Sequence, residues 1–195
     1  MPIATAIEPR SPERLVDPQF IHRWSSRALS GETITEEELG SLFEAAKWAP
    51  SSFNNQPWRF IYGRRDSVDW STFLDLLVEN NKVWAQRAAV LIVIVSKQNF
   101  DNGKPSRTHS FDAGAAWMSL ALQGSMMGLV VHAMEGFDYE RARKDLAIPS
   151  GYTVEAMVAV GRRGRVEDLP ETLQVREFPN SRKRQAEIVF EGGFR

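Results

Sequence analysis

Ala49-Pro50-Ser51-Ser52-Phe53-Asn54-Asn55-Gln56-Pro57-Trp58 stands between a predicted helix end and a predicted strand. Its two prolines stiffen a stretch dense in amides and hydroxyls, so those groups are held in fixed directions. Groups so held suit the carbonyl and ring-nitrogen edge of a heteroaromatic ligand, or they satisfy one another in a rigid turn. Upstream, Thr35 and Glu38 have the spacing of a capping box, and Leu39, Leu42, Phe43 and Ala46 follow on one helical face until Pro50. Downstream, Trp58 to Tyr62 reads as a strand, Trp70, Leu74, Leu77 and Val78 recur at helical spacing, and Ala89 to Ser96 reads as a strand buried on both faces. A long helix rich in small residues is predicted from Ser110 to Met127. Strands at Leu129–Met134 and Tyr152–Val160 flank a short helix at Tyr139–Leu146, so the expected sheet has about four strands.

Composition bounds the function. The chain has 195 residues, of which 43% are hydrophobic and 25% charged, the balance of a globular domain with a real core. Its 24 Lys+Arg against 25 Asp+Glu give a net charge of −1, which disfavours a globally basic nucleic-acid binder. Without cysteine it has no disulfide, thiol nucleophile or thiolate metal site. The longest apolar run, Ala88 to Val95, is far shorter than the ~18 residues of a membrane span, and the N-terminus lacks the apolar core of an export signal, so a cytoplasmic protein is expected. The expected organisation is an N-terminal extension over 1–14, whose order the sequence leaves open, and a single domain over 15–195. That domain ends in a basic, apolar-poor arm from about 162, expected to wrap its own body or a partner subunit.

Several chemistries find no support. The three histidines, His22, His109 and His132, lack the i, i+4 spacing of a helical metal site, and His109 with Asp112 makes too few ligands, so no metal is assigned. Neither G-x-G-x-x-G nor a P-loop is present, so side chains must hold any phosphate. Arg23-Trp24-Ser25-Ser26-Arg27 offers them. In an extended segment residues 23, 25 and 27 project to one side, and two forked guanidiniums around a hydroxyl suit an anion. The glycine in Met134-Glu135-Gly136-Phe137 permits a backbone N–H to approach a ligand closely.

Taken in order, these segments resemble the nitroreductase family of FMN-dependent oxidoreductases. The likeness runs through R-x-S-x-R at Arg23–Arg27, the APSSxNxQPW segment at Ala49–Trp58, the helix carrying Asn81, Asp112-Ala113-Gly114, Met134-Glu135-Gly136-Phe137-Asp138 and the strand from Gly151 to Gly161. It implies an α+β sandwich with a central, mostly antiparallel sheet surrounded by helices, assembled as an intertwined homodimer with FMN at the subunit interface. Arg23, Trp24 and Ser25 would then flank the phosphate and ribityl chain, and Arg27 the pyrimidine rim. Arg182, with Arg163 as a further candidate, would hold the phosphate. Pro50, Ser51, Ser52 and Asn54 would reach the flavin from the partner chain, Asn81 would meet its polar edge, and Met134, Glu135 and Gly136 would run beside it, the last two offering N–H groups to N5 and O4. Two departures from the resemblance stand out: Trp84 stands where some members of the family carry a second basic residue, and Asn180 where a lysine is common.

The resemblance implies hydride transfer from NAD(P)H through flavin N5 to an electron-poor small molecule such as a nitroaromatic or quinone, in ping-pong order. No side chain need act as acid or base, and Arg27 would stabilise negative charge on the reduced flavin. Related outcomes stay open: enone or aldehyde reduction, dehalogenation, flavin fragmentation, or non-catalytic FMN storage or sensing.

Overall fold

The computed structural model describes residues 10–194. Helix α1 (Pro18–His22) precedes α2 (Glu36–Lys47), whose start is the expected capping box: the Thr35 hydroxyl accepts from Glu38 N at 3.1 Å, and the Glu38 carboxylate accepts from Thr35 N at 2.8 Å. Strand β1 (Trp58–Arg64), helices α3 (Trp70–Leu76) and α4 (Glu79–Ala85), and strand β2 (Val90–Lys97) follow. The long helix is α5 (His109–Met126), and β3 (Leu129–Met134), α6 (Tyr139–Asp145), β4 (Tyr152–Arg162) and the short α7 (Glu171–Gln174) complete the order.

The four strands form one sheet in the order β1-β2-β4-β3, with every neighbouring pair antiparallel. All of β2 from Val90 to Ser96 is buried, which explains its unbroken apolar reading. Successive side chains feed two cores. Leu91, Val93, Val95, Met157 and Ala159 pack with Phe73, Leu76, Trp84 and Ala142 from α3, α4 and α6. Val90, Ile92, Ile94, Val158 and Val160 pack with Leu39, Leu42, Ala116 and Leu120 from α2 and α5. The expected α+β sandwich is therefore present, with helices on both faces.

The reading of residues 70–78 as one helical face needs correction. Leu77 is extended and ends α3, and Val78 opens α4, donating its N–H to Gly136 O at 3.1 Å. Two short helices meet where one period was expected, so Phe73, Leu76 and Leu77 are buried while Val78 is about half exposed. This kink pins the start of α4 to the turn that follows β3.

Beyond β4 the arm lies on its own body. Gly164 N donates to Ala28 O at 2.8 Å, Ser30 N donates to Arg162 O at 3.0 Å, and Leu169 is buried in the first core. Residues 1–9 of the N-terminal extension lie outside the described residues, while Arg10 reaches across to the arm. Among the described residues no helix is long and apolar enough to cross a membrane.

Two glycines test the packing from opposite sides. A Cβ at Gly124 of α5 would lie 2.5 Å from Val131 Cγ2, whereas one at Gly40 of α2 meets nothing within 4 Å. Gly124→Ala is expected to lower unfolding free energy by about 1–3 kcal/mol, and Gly40→Ala to raise it by about 0.5–1 kcal/mol, in urea titrations. Equal effects of the two changes would contradict the close approach of α5 to β3.

Candidate functional site

Arg23 to Arg27 leaves α1 as an extended strip, and its side chains alternate as that conformation requires: Ser26 and Ala28 are buried, while Ser25 and Arg27 stay accessible. Arg23 Nη1 approaches Ser25 Oγ at 3.4 Å. Ser25, Arg27, Trp24 and His132 line a cleft of about 180 Å³ with Arg176, Phe178 and Asn180 of the arm. Arg163 stacks over the Trp24 ring at 4.6 Å, so it reaches this edge through an aromatic face.

Charge concentrates beside this cleft, around a neighbouring one of about 440 Å³ that Arg10 and Arg182 line with Glu13 and Arg184. Burial and the nearby Arg182 hold the Arg23 guanidinium below the usual arginine range, and Arg10 is lowered by burial together with Arg182 and Arg23. Among the described residues no carboxylate forms an ion pair with Arg10, Arg23 or Arg182. Arg10 is held in place by carbonyls: its Nη1 donates to Ile21 O and to Arg23 O, both at 2.8 Å, and its Nε donates to Asn180 O at 2.9 Å.

His132 and the end of β3 bound the other side. His132 Nδ1 donates to Ser26 O at 2.9 Å, which fixes the tautomer, and the ring packs against buried Trp84 with centroids 4.6 Å apart. Burial above all, with Arg27 and Arg23 adding to it, pushes His132 down to about 4, although the Ser26 contact and Glu177 act the other way. Beyond β3, the Asn81 amide donates to Gly136 O at 3.0 Å. A Cβ at Gly136 would lie 2.7 Å from Asn81 Nδ2, so only glycine lets the two meet. The N–H groups of Glu135 and Gly136 meet no protein acceptor among the described residues. Met134 turns its side chain into the core and offers this site only its backbone.

The Pro50–Asn54 turn lies elsewhere. Ser51 Oγ accepts from Gln56 N at 3.0 Å, and Ser52 N donates to the buried Asp112 carboxylate at 3.1 Å. Phe53, Asn54 and Gln56 all have positive φ, a strained arrangement that leaves Phe53 94% exposed. The turn borders a wide cleft of about 810 Å³ with Arg59, Lys97, Phe100 and Lys104, which shares no residue with the cleft at Arg27. His109 and Asp112 do not share a site either: His109 Nδ1 lies 2.7 Å from Ser96 Oγ, whereas Asp112 serves Ser52 and Thr108. Among the described residues no group of three or more His, Cys, Asp or Glu could hold a metal.

The family model for the nitroreductase family matches residues 21–69 and 66–162, which include the Arg23–Arg27 strip, the 50–56 turn and the Asn81–Gly136 contact. The chain belongs to the nitroreductase family. A solved structure described as "the oxidoreductase containing FMN" is 46% identical, with a TM-score of 0.92 over 95% of this chain and 96% of its own. Protein DrgA of Synechocystis sp. is 29% identical over 164 residues, spanning 70% of this chain and 77% of its own length. A protein of Thermus thermophilus named NADH dehydrogenase is 27% identical over 170 residues, spanning 72% of this chain and 83% of its own.

Within this nitroreductase-family chain, sequence reading passed over Arg10, Arg176, Glu177 and the placement of His132. Arg10 fell in the presumed extension, and the others carried no spacing signal. His132 makes stability depend on pH. Its native value near 4 lies below the ordinary 6.5, so between these values the unfolded chain binds a proton that the native one refuses. The neutral ring therefore contributes stability above about pH 6.5 that is lost as pH falls towards 4, amounting to roughly 3 kcal/mol. His132→Asn, which can still donate to Ser26 O, is expected to flatten that part of the pH–stability profile in denaturant titrations. Parallel wild-type and variant profiles would contradict the assignment.

Proposed function

We propose that this chain is an FMN-dependent oxidoreductase that passes a hydride from NAD(P)H to an electron-poor small molecule such as a nitroaromatic or quinone. The observation that carries the reading is the gathering of Arg10, Arg23 and Arg182 with no carboxylate paired to them among the described residues. Like charges brought together against their own repulsion call for an anion, and a phosphate monoester supplies one. The remaining groups fit the rest of such a cofactor: Ser25 beside the cations, two free N–H groups at Glu135 and Gly136, the Asn81 amide, and Arg27 at the cleft mouth. The FMN named for the 46% identical structure supports the same reading.

When bound, the flavin supplies the hydride chemistry, accepting and releasing it at N5. The protein's part is to bind, orient and polarise. Arg10, Arg23 and Arg182 would hold and neutralise the phosphate, with Arg163 stacked on Trp24 nearby. Arg27 would set a positive charge at the rim, and because His132 stays neutral and Trp84 stands where some members of the family carry a basic residue, Arg27 would bear that task with little help. Asn81 and the Glu135–Gly136 amides direct hydrogen bonds at the polar edge. With one cleft to serve both, donor and acceptor would bind in turn, the ping-pong order.

A cleft of about 180 Å³ is smaller than the ~300–1,000 Å³ of typical small-molecule sites, so one chain supplies part of the pocket. A second copy, offering its exposed Phe53 and the Pro50-Ser51-Ser52-Asn54 turn, would complete it in a homodimer.

The test is to purify the protein, record its visible spectrum and add NADH or NADPH without oxygen. A bound flavin that bleaches is expected, and a protein that cannot be loaded with FMN would contradict the reading. Arg23→Ala is expected to weaken FMN retention about 10- to 100-fold by removing charge-assisted bonds, whereas Arg27→Gln should lower the flavin midpoint potential more than it weakens binding.

A further inference from the structure

Glu177 lies on the arm, past the residues that the family model matches, and is buried. Its carboxylate accepts from the Ser26 hydroxyl, from Arg27 N at 2.9 and 3.1 Å to its two oxygens, and from Ala28 N at 3.1 Å. Two successive backbone N–H groups and a hydroxyl aimed at one carboxylate make an anion nest. Among the described residues no arginine or lysine pairs with it, so its charge is met by N–H groups and the guanidiniums of Arg23 and Arg27 stay available.

The consequence is geometric. Residue 26 is gripped from two sides, its carbonyl by His132 Nδ1 and its hydroxyl by Glu177. In an extended strip, fixing residue 26 inward turns residues 25 and 27 outward together. Arg176, Phe178 and Asn180, which flank Glu177 on the arm, line the same cleft as Ser25 and Arg27. The arm thus braces the strip through residue 26 and walls the cleft that Ser25 and Arg27 line.

We propose that Glu177 is a positioning residue through which the C-terminal arm sets Arg23–Arg27 for anion binding, so that arm docking and cofactor binding are one linked equilibrium. The proposal rests on the FMN reading given above. Linkage is reciprocal: whatever the docked arm adds to ligand affinity, the ligand returns as protection of the arm. A staple that only stabilised the fold would show no such exchange.

The experiment measures FMN affinity by flavin-fluorescence titration, and hydrogen exchange at the Arg27 and Ala28 amides and along 170–182, in the flavin-stripped full-length protein. It is run on wild type, Glu177→Gln, Glu177→Ala and Arg23→Ala. Wild-type arm exchange is expected to slow on adding FMN. Glu177→Ala should weaken FMN binding about tenfold or more and abolish that slowing, with Glu177→Gln, which keeps one acceptor oxygen, in between. Arg23→Ala should weaken binding while leaving the ligand-free arm as protected as in wild type. Should Glu177→Ala fail to fold, Ser26→Ala removes one bond of the nest and is expected to give a smaller loss of the same kind. Unchanged affinity in a folded Glu177→Ala protein, or FMN binding that leaves the wild-type arm unprotected, would overturn the proposal. Inorganic phosphate, titrated in parallel, separates the two readings. A wild type that binds no FMN, but whose arm is protected by phosphate only when Glu177 is present, defeats the FMN reading and keeps the latch; protection by neither ligand defeats both.

Discussion

Strands β2 and β4 are covered on both faces, by α3, α4 and α6 on one side and by α2 and α5 on the other. A doubly covered sheet centre disfavours unpaired polar groups, because burying one without a partner costs about 1–3 kcal/mol, and the indole N–H of Trp84 is an exception there. The polar machinery therefore gathers at the margin beside β3, where the strand runs out into Glu135–Gly136, and on the two irregular segments laid against it, the 23–27 strip and the arm. His132 is the instructive case. It faces the first core, and it stays there by donating to Ser26 O and remaining neutral.

That margin is electrostatically one-sided. Arginines 10, 23, 27 and 182 approach it, while the acidic residue closest to the strip, Glu177, is occupied by N–H groups and a hydroxyl. Positive charge kept free of protein counter-charge is costly in a free chain and is the arrangement that favours an anionic ligand. Trp84 is buried and packs its ring against His132. Under the proposed reading, this chain would meet a cofactor phosphate with Arg10, Arg23 and Arg182 and the flavin rim with Arg27.

Much of this was legible before any coordinates. The capping box at Thr35–Glu38, the apolar run of β2 and the small-residue helix α5 each state their structure locally, because helix caps and doubly buried strands leave strong composition signals. The break between α3 and α4 was not legible, since Val78 is apolar and continues the helical period although its role is to begin a new helix against Gly136. Nor was Glu177. A single glutamate in a charged arm reads as a solvated surface group, and only its 151-residue jump to Ser26 gives it a partner. The 50–56 turn was legible as a rigid polar element, while its separation from the cleft at Arg27 within one chain emerges only from the fold.

Under the proposed reading the cofactor site is composite, with cations and the β3 margin from one chain and the 50–54 turn from another. Co-expressing differently tagged Arg23→Ala and Asn54→Ala chains, isolating the mixed dimers and measuring their flavin content tests it most directly. In a symmetric dimer each mixed pair carries one intact site and one doubly altered site, so flavin content of about half the wild-type value is predicted, well above that of either variant alone. Mixed dimers no better loaded than the weaker parent would contradict the account.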